Sequence, residues 1–294
     1  IAHTLARPTA RHAGEVLAGR YELLRVVGEG GIGVVWAAHD RLANRSVALK
    51  ILKETSPELS ARSLREARAS VRASHPAVLE VLDVFCPPEC GGVPVLVMPL
   101  LEGESLDALL ARRSPLDESE ALELLEPVVA GMCAAHARHV IHRDLKPQNV
   151  FLARAGDPKP TVLVLDFGLS KLLAVDGTDA DADRLTRTGA ILGTPHYMAP
   201  EQLFGEALVD ARADVWAIGA MLYECLSGKR PIEGRSYGQI AKNAAQAEIV
   251  PLRQLRPDIR SNVSALVARM LDKTRERRPD LLTVHAAILS RESP

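Results

Sequence analysis

The pattern of apolar residues changes character near residue 100, and that change limits the chain to folds that keep strands and helices apart. Residues 21–27 and 34–38 are β-branched-rich runs joined by a glycine cluster, and 47–52 follows in the same style. Together they predict a small antiparallel sheet. Residues 60–74 are polar and rich in Arg and Ala with no β-branched run, which predicts one helix, and 78–85 and 93–98 return to strand character. Beyond 99–103 the style changes. From Asp117, placed as an N-cap, Leu122, Leu125, Val129, Met132 and Cys133 recur at three- and four-residue steps on one helical face. Residues 214–226 (DVWAIGAMLYECL) are apolar on nearly every face, as a buried central helix must be. Strands first and helices after make an α+β architecture.

Between those helices, 150–152 and 162–165 predict a short hairpin, and 166–201 shows neither helical nor strand periodicity. Irregular segments of that length inside a compact domain are usually functional or disordered. A chain of 294 residues with 47% apolar content can bury a sizeable core. Thirty-six basic against 37 acidic residues leave a net charge of −1, which excludes a chain-wide pull toward nucleic acid or an anionic membrane. Four scattered cysteines are no disulfide framework and fit a reducing compartment. No run reaches the roughly 18–20 apolar residues of a membrane helix, and residues 1–20 lack a signal-peptide core. With Ile at position 1, the chain reads as an excised cytoplasmic piece without membrane contact of its own, whatever anchors its parent.

Gly28, Gly30, Gly33 and Val35 form a GxGxxGxV cluster, and Lys50 closes the apolar run 47–50, 17 residues past Gly33. A plain hairpin turn and a solvated strand end would explain both. Strands on each side, where a dinucleotide fold would place a helix after the turn, sharpen the signal. A lysine among apolar strand residues requires an anionic partner, for which Glu66 in the expected helix is the candidate. His142-Arg143-Asp144-Leu145-Lys146-Pro147-Gln148-Asn149 then puts a carboxylate, a cation and an amide on one loop, and Asp166-Phe167-Gly168 follows a strand. Ala199-Pro200-Glu201 and Asp214-Val215-Trp216 complete the series.

With these motifs in this order, the chain resembles the protein kinase superfamily, and within it the bacterial Hanks-type serine/threonine kinases, from about residue 19 to about 289. The resemblance implies a bilobal α+β fold: an extension 1–18, a small antiparallel N-lobe 19–98 with one main helix, a hinge 99–103 and a mostly helical C-lobe 104–290. It also implies ATP and two magnesium ions, with manganese as a substitute. Val27, Gly28, Glu29, Gly30, Gly31, Ile32, Gly33, Val34 and Val35 would cover the nucleotide and its phosphates, whose close approach glycines permit. Val27, Val35 and Ala48 from above and Phe151 from below would sandwich adenine, and Met98, Pro99 and Leu101 would line its edge. Lys50, held by Glu66, would bind the α and β phosphates. Asp144 would orient the acceptor hydroxyl, Lys146 would stabilise the transferring phosphoryl, and Asn149 and Asp166 would ligate the metal.

Lys146 together with Thr194 matches the serine/threonine pattern, and Thr186 and Thr188 stand where the bacterial family autophosphorylates. A phosphate there would pair with Arg143. Glu201 would pair with Arg278, and Asp214 would brace the catalytic loop. The implied partners are protein substrates with Ser or Thr acceptors and a second copy of the chain for trans-autophosphorylation. Two positions depart from the usual pattern. Pro99 lacks an amide proton but keeps the carbonyl that the adenine contact uses, and Ser70 gives little apolar support behind the expected helix.

Three sharper-looking constellations fail on their own terms. Cys86 and Cys90 have no second ligand pair nearby in sequence to make a zinc site. His136 and His139 belong at a helix end, and His142 to the motif. Asp179, Asp181 and Asp183 mimic a calcium loop, but Arg184 takes the required glycine position and Ala190 the required glutamate. Two other functional classes compete with an active protein kinase. A nucleotide-binding scaffold without turnover would be expected to lack one of the residues named above. A small-molecule phosphotransferase would need neither 199–201 nor the threonines before it.

Overall fold

In a computed structural model of the chain, the described residues are 11–30, 33–52, 75–154, 156, 159–166, 195–206 and 209–290. They fall into two compact units, one of Ile1–Arg72 with Leu79–Leu101, the other of Ala73–Val78 with Glu102–Pro294.

The first unit is a six-stranded sheet in the order β1-β2-β3-β4-β6-β5, antiparallel at every pairing. Its strands are β1 (Val16–Leu17), β2 (Tyr21–Glu29), β3 (Gly33–Asp40), β4 (Arg45–Leu52), β5 (Asp83–Phe85) and β6 (Val95–Pro99). The period-two alternation of a strand sorts the side chains onto two faces. Leu23, Trp36, Ala38, Val47, Leu49, Val95 and Val97 form the unit's own apolar cluster with Leu17 and Tyr21. The opposite face carries the register partners Val35–Lys50–Leu96 and Ala37–Ala48–Met98.

The β3–β4 turn is closed by the buried Asp40. Its carboxylate accepts from Arg20 Nε (2.8 Å) and Nη2 (2.7 Å) and from the amides of Leu42 and Ala43, both at 3.1 Å. Residues 11–18 are no loose extension. Gly14 N–H donates to Leu23 O, Leu23 N–H donates to Glu15 O, and Leu17 is fully buried.

The second unit is mostly helical, with α1 (Leu106–Arg112), α2 (Glu118–His136), α3 (Pro200–Leu203), α4 (Arg212–Ser227), α5 (Tyr237–Gln246), α6 (Leu252–Leu255), α7 (Ser261–Met270) and α8 (Leu281–Leu289). A three-stranded sheet of β7 (Gly103–Ser105), β8 (Val150–Ala153) and β9 (Thr161–Val164) completes it. In α4 every residue from Ala213 to Leu226 except Glu224 is buried, so this helix is the axis of the core. Gly219 permits that packing, since a Cβ on it would sit 2.8 Å from the Cβ of Met270 on α7.

Several expectations need correction. The run 78–85 is a strand only at Asp83–Phe85. Val78 instead makes an isolated parallel bridge to Val164, and the amide of Val164 donates to Ala77 O at 2.8 Å, which assigns 73–78 to the second unit. Asp117 is the N-cap of α2 by position but makes no capping bond through its side chain. The central helix starts at Arg212, two residues before the expected Asp214. His136 ends α2, whereas His139 lies past it at φ 58°. The helix expected within 60–74 and most of 166–201 lie outside the described residues.

Candidate active site

Asp214 organises the loop that carries the chemistry. It lies in the first turn of α4, where the unpaired amides of a helix start favour a negative charge. Its side chain is 1% exposed and accepts three hydrogen bonds: from the amides of His142 (2.9 Å, Oδ2) and Arg143 (2.8 Å, Oδ1) and from His136 Nε2 (2.8 Å, Oδ2). Two consecutive loop amides aimed at one buried carboxylate bring Arg143 to a left-handed backbone, φ 65°. Strained non-glycine residues of this kind concentrate at functional sites.

His142, fully buried, ties the same loop to the end of β9. Its Nδ1 accepts from the amide of Asp144 at 3.3 Å, so Nε2 carries the proton and donates to Leu165 O at 2.9 Å. The amide of Leu165 in turn donates to Asn149 O at 2.8 Å. The next residue, Asp166, is also left-handed, with φ 59°.

Within this frame Lys146 Nζ donates to both oxygens of Asp144, at 3.0 and 2.7 Å. Asn149 Nδ2 donates to the backbone carbonyl of Asp144 at 2.7 Å, with a weaker approach of 3.4 Å to its Oδ2. The amide nitrogen is thereby committed, and the remaining polar atom of Asn149 is its oxygen, a hard donor. Asn149 and Asp166 thus offer oxygen ligands only. Among the described residues no group of three His, Cys, Asp or Glu side chains is placed to hold a metal.

Supporting contacts radiate from the loop. Gln202 Nε2 donates to Arg143 O at 2.7 Å. Arg143 Nη2 lies 3.5 Å from Val209 O, and its buried Nε has no partner among the described residues. Glu201 and Arg278, both buried, form a two-pronged ion pair at 2.7 and 2.9 Å, with the Arg278 guanidinium 5.0 Å from the Trp216 ring centroid. Phe151 on β8 pairs with Ser105 and Leu163.

In the first unit, Lys50 (5% exposed), Ala48, Val35 and Met98 share the face opposite the apolar cluster. Among the described residues, a Cβ on Gly28 or Gly30 would meet nothing within 4 Å, whereas one on Gly33 would stand 2.4 Å from Ile51 O. Gly33 is therefore required by the sheet itself. Val27 is 40% exposed beside a bulge in the β2–β3 register, and Glu29 pairs with Val34. Pro99 closes β6 opposite Val47, and Leu101 is half-buried. Gly31, Ile32, Glu66, Ser70, Thr186, Thr188 and Thr194 lie outside the described residues.

Some contributors were not foreseen. His136 is a ligand of Asp214 across 78 positions of sequence, and Gln202 holds a loop carbonyl. Only the three-residue spacing of His136, His139 and His142 marked that neighbourhood. Among the described residues no helix is long and apolar enough to cross a membrane.

Residues 21–288 match the protein kinase domain family. The chain is 37% identical over 276 residues to a serine/threonine-protein kinase, pkn3, of Myxococcus xanthus, covering 92% of this chain and 49% of that protein. It is 39% identical over 273 residues to the DNA damage-responsive serine/threonine-protein kinase RqkA of Deinococcus radiodurans, covering 90% and 38%. The crystal structure of the PknI kinase domain of Mycobacterium tuberculosis superposes with a TM-score of 0.72 at 26% identity, over 96% of this chain and all of that one. The chain spans about half or less of the length of these two curated relatives. It belongs to the protein kinase family, as a catalytic domain of the bacterial serine/threonine kind.

Proposed function

We propose that residues 19–290 form one kinase domain, with 99–103 as its hinge, that passes the γ-phosphoryl of ATP to Ser or Thr hydroxyls, including Thr186 and Thr188 of its own chain. The carrying observation is the Asp144–Lys146–Asn149 arrangement on a loop braced by Asp214. Phosphoryl transfer asks a protein mainly for positioning and for charge placed where it develops. The Asp144 carboxylate orients the acceptor hydroxyl and accepts its proton. The Lys146 ammonium, already on that carboxylate, neutralises charge on the transferring group. Lys50 with Glu66 positions the α and β phosphates. The residues Val27–Val35, Ala48, Met98, Pro99, Leu101 and Phe151 hold the rest of the nucleotide. Asn149 and Asp166 hold two magnesium ions, replaceable by manganese, which supply charge neutralisation at the phosphate oxygens when bound. Phosphate on Thr186 or Thr188 pairs with Arg143, and Thr194 supports the activation segment in the serine/threonine pattern. Modification of one copy by another requires a transient homodimer.

The test is incubation with magnesium and ATP beside Asp144→Asn, then mass spectrometry of the peptide 184–197. Phosphate on Thr186 or Thr188 in the unmodified sequence alone supports the reading. Phosphate in neither, with a generic protein substrate also untouched and nucleotide bound, contradicts it.

A further inference from the structure

One polar cluster beside the catalytic loop takes no part in the roles above. The turn Pro195–Tyr197 adjoins that loop, because Tyr197 lines the same small cavity as Arg143, Asp144 and Gln202. The Tyr197 hydroxyl donates to Glu224 Oε2, and the other oxygen, Oε1, lies 3.4 Å from Arg230 Nε. The Arg230 guanidinium covers the Tyr197 ring, 5.8 Å from its centroid. Glu224, the one residue from Ala213 to Leu226 that the core does not bury, is therefore already satisfied twice, and its side chain is only 14% exposed.

Arg230 differs in one respect. It faces Glu224 through Nε at 3.4 Å, lies over the Tyr197 ring, and keeps its side chain 36% exposed to solvent. Lys229 and Arg235 nearby are exposed, as is Glu233. His196 on the turn lies 3.2 Å from Gly234 O through Nε2, and burial together with Arg230 lowers its pKa, which favours the neutral ring. A peptide crossing this turn thus meets a preoriented guanidinium fork and no unpaired buried carboxylate. Guanidinium pairs strongly with carboxylate, and a basic peptide side chain would be repelled by the same group.

We infer that Arg230 is a specificity-determining residue, which receives a carboxylate flanking the acceptor Ser or Thr of the peptide substrate. This rests on the kinase reading above. The test uses peptides with one Thr acceptor and Glu, Gln or Lys scanned over three positions on either side. These are turned over by the unmodified chain, Arg230→Gln and Arg230→Glu.

The expected result is a Glu-over-Gln preference of about fivefold in kcat/KM at one or more positions, carried by KM and weakened by salt. That preference disappears in Arg230→Gln and turns toward Lys in Arg230→Glu. Each preference is a ratio within one variant, so a general loss of activity does not mimic it, and the unmodified chain alone can refute the idea. Equal use of Glu and Gln at every position, or a preference that survives in Arg230→Gln, would overturn it. Binding of the same peptides in the presence of a non-hydrolysable ATP analogue must give the same ranking. Transfer to no peptide at all, with that ranking still present, would overturn the kinase reading and leave the role of Arg230 in binding standing.

Discussion

Asp214 shows how one buried charge sets the shape of a loop. Its carboxylate is the acceptor for two consecutive amides and an imidazole, so its removal strands buried donors rather than merely deleting a charge. Asp214→Ala is expected to cost about 2–4 kcal/mol in urea unfolding and to lower kcat more than tenfold. Unchanged stability would contradict the bracing role.

Asp40 makes a different statement, because Arg20 holds its carboxyl well below the usual carboxylate range. A depressed folded-state pKa contributes stability that is fully present above the unfolded value, about 3.9, and is lost as pH falls toward the folded one. Asp40→Asn should therefore melt lower than the unmodified chain at pH 7, with the gap closing below about pH 4. A gap independent of pH would contradict this.

At this scale the motif residues were legible because their chemistry and spacing recur as a set. His136 as a partner of Asp214 was not, since a contact across 78 positions leaves no local periodicity.

Among the elements, the strands of the first sheet were readable where apolar, β-branched-rich runs extend for five residues or more, as in β2, β3, β4 and β6. β1 and β7, of two and three residues, carry no pattern, and only pairing to β2 and β8 makes them strands. The 78–85 run failed as a strand at its start because Val78 belongs to the other unit, next to Val164. The central helix was legible from its unbroken apolar character, but its fit to α7 depends on Gly219, which no periodicity singles out. Gly219→Val is expected to destabilise by about 1–3 kcal/mol through overpacking against Met270. A melting temperature equal to that of the unmodified chain would sink this. The Glu201–Arg278 pair joins α3 to the segment before α8, and Glu201→Gln leaves a buried guanidinium underpaired. A loss of about 3 kcal/mol is expected, and chemical denaturation measures it.

For the molecule as a whole, the division into a strand-rich and a helix-rich unit follows from the change of pattern near residue 100, and the family match over residues 21–288 agrees with it. The first unit carries residues proposed to hold nucleotide, and the second carries those proposed to hold the metal. ATP with magnesium should then stabilise the chain by about 2.7 kcal/mol at a hundredfold excess over Kd, and a chelator should reduce that shift while abolishing transfer.

The central claim is that Asp144 acts on the acceptor and not on the nucleotide. The most direct measurement follows ATP affinity by calorimetry and phosphoryl transfer to a Thr peptide, for the unmodified chain and Asp144→Asn together. The account predicts affinity within a few-fold and transfer reduced by about 10²–10⁴. Transfer left intact, or affinity lost in proportion to transfer, would contradict it.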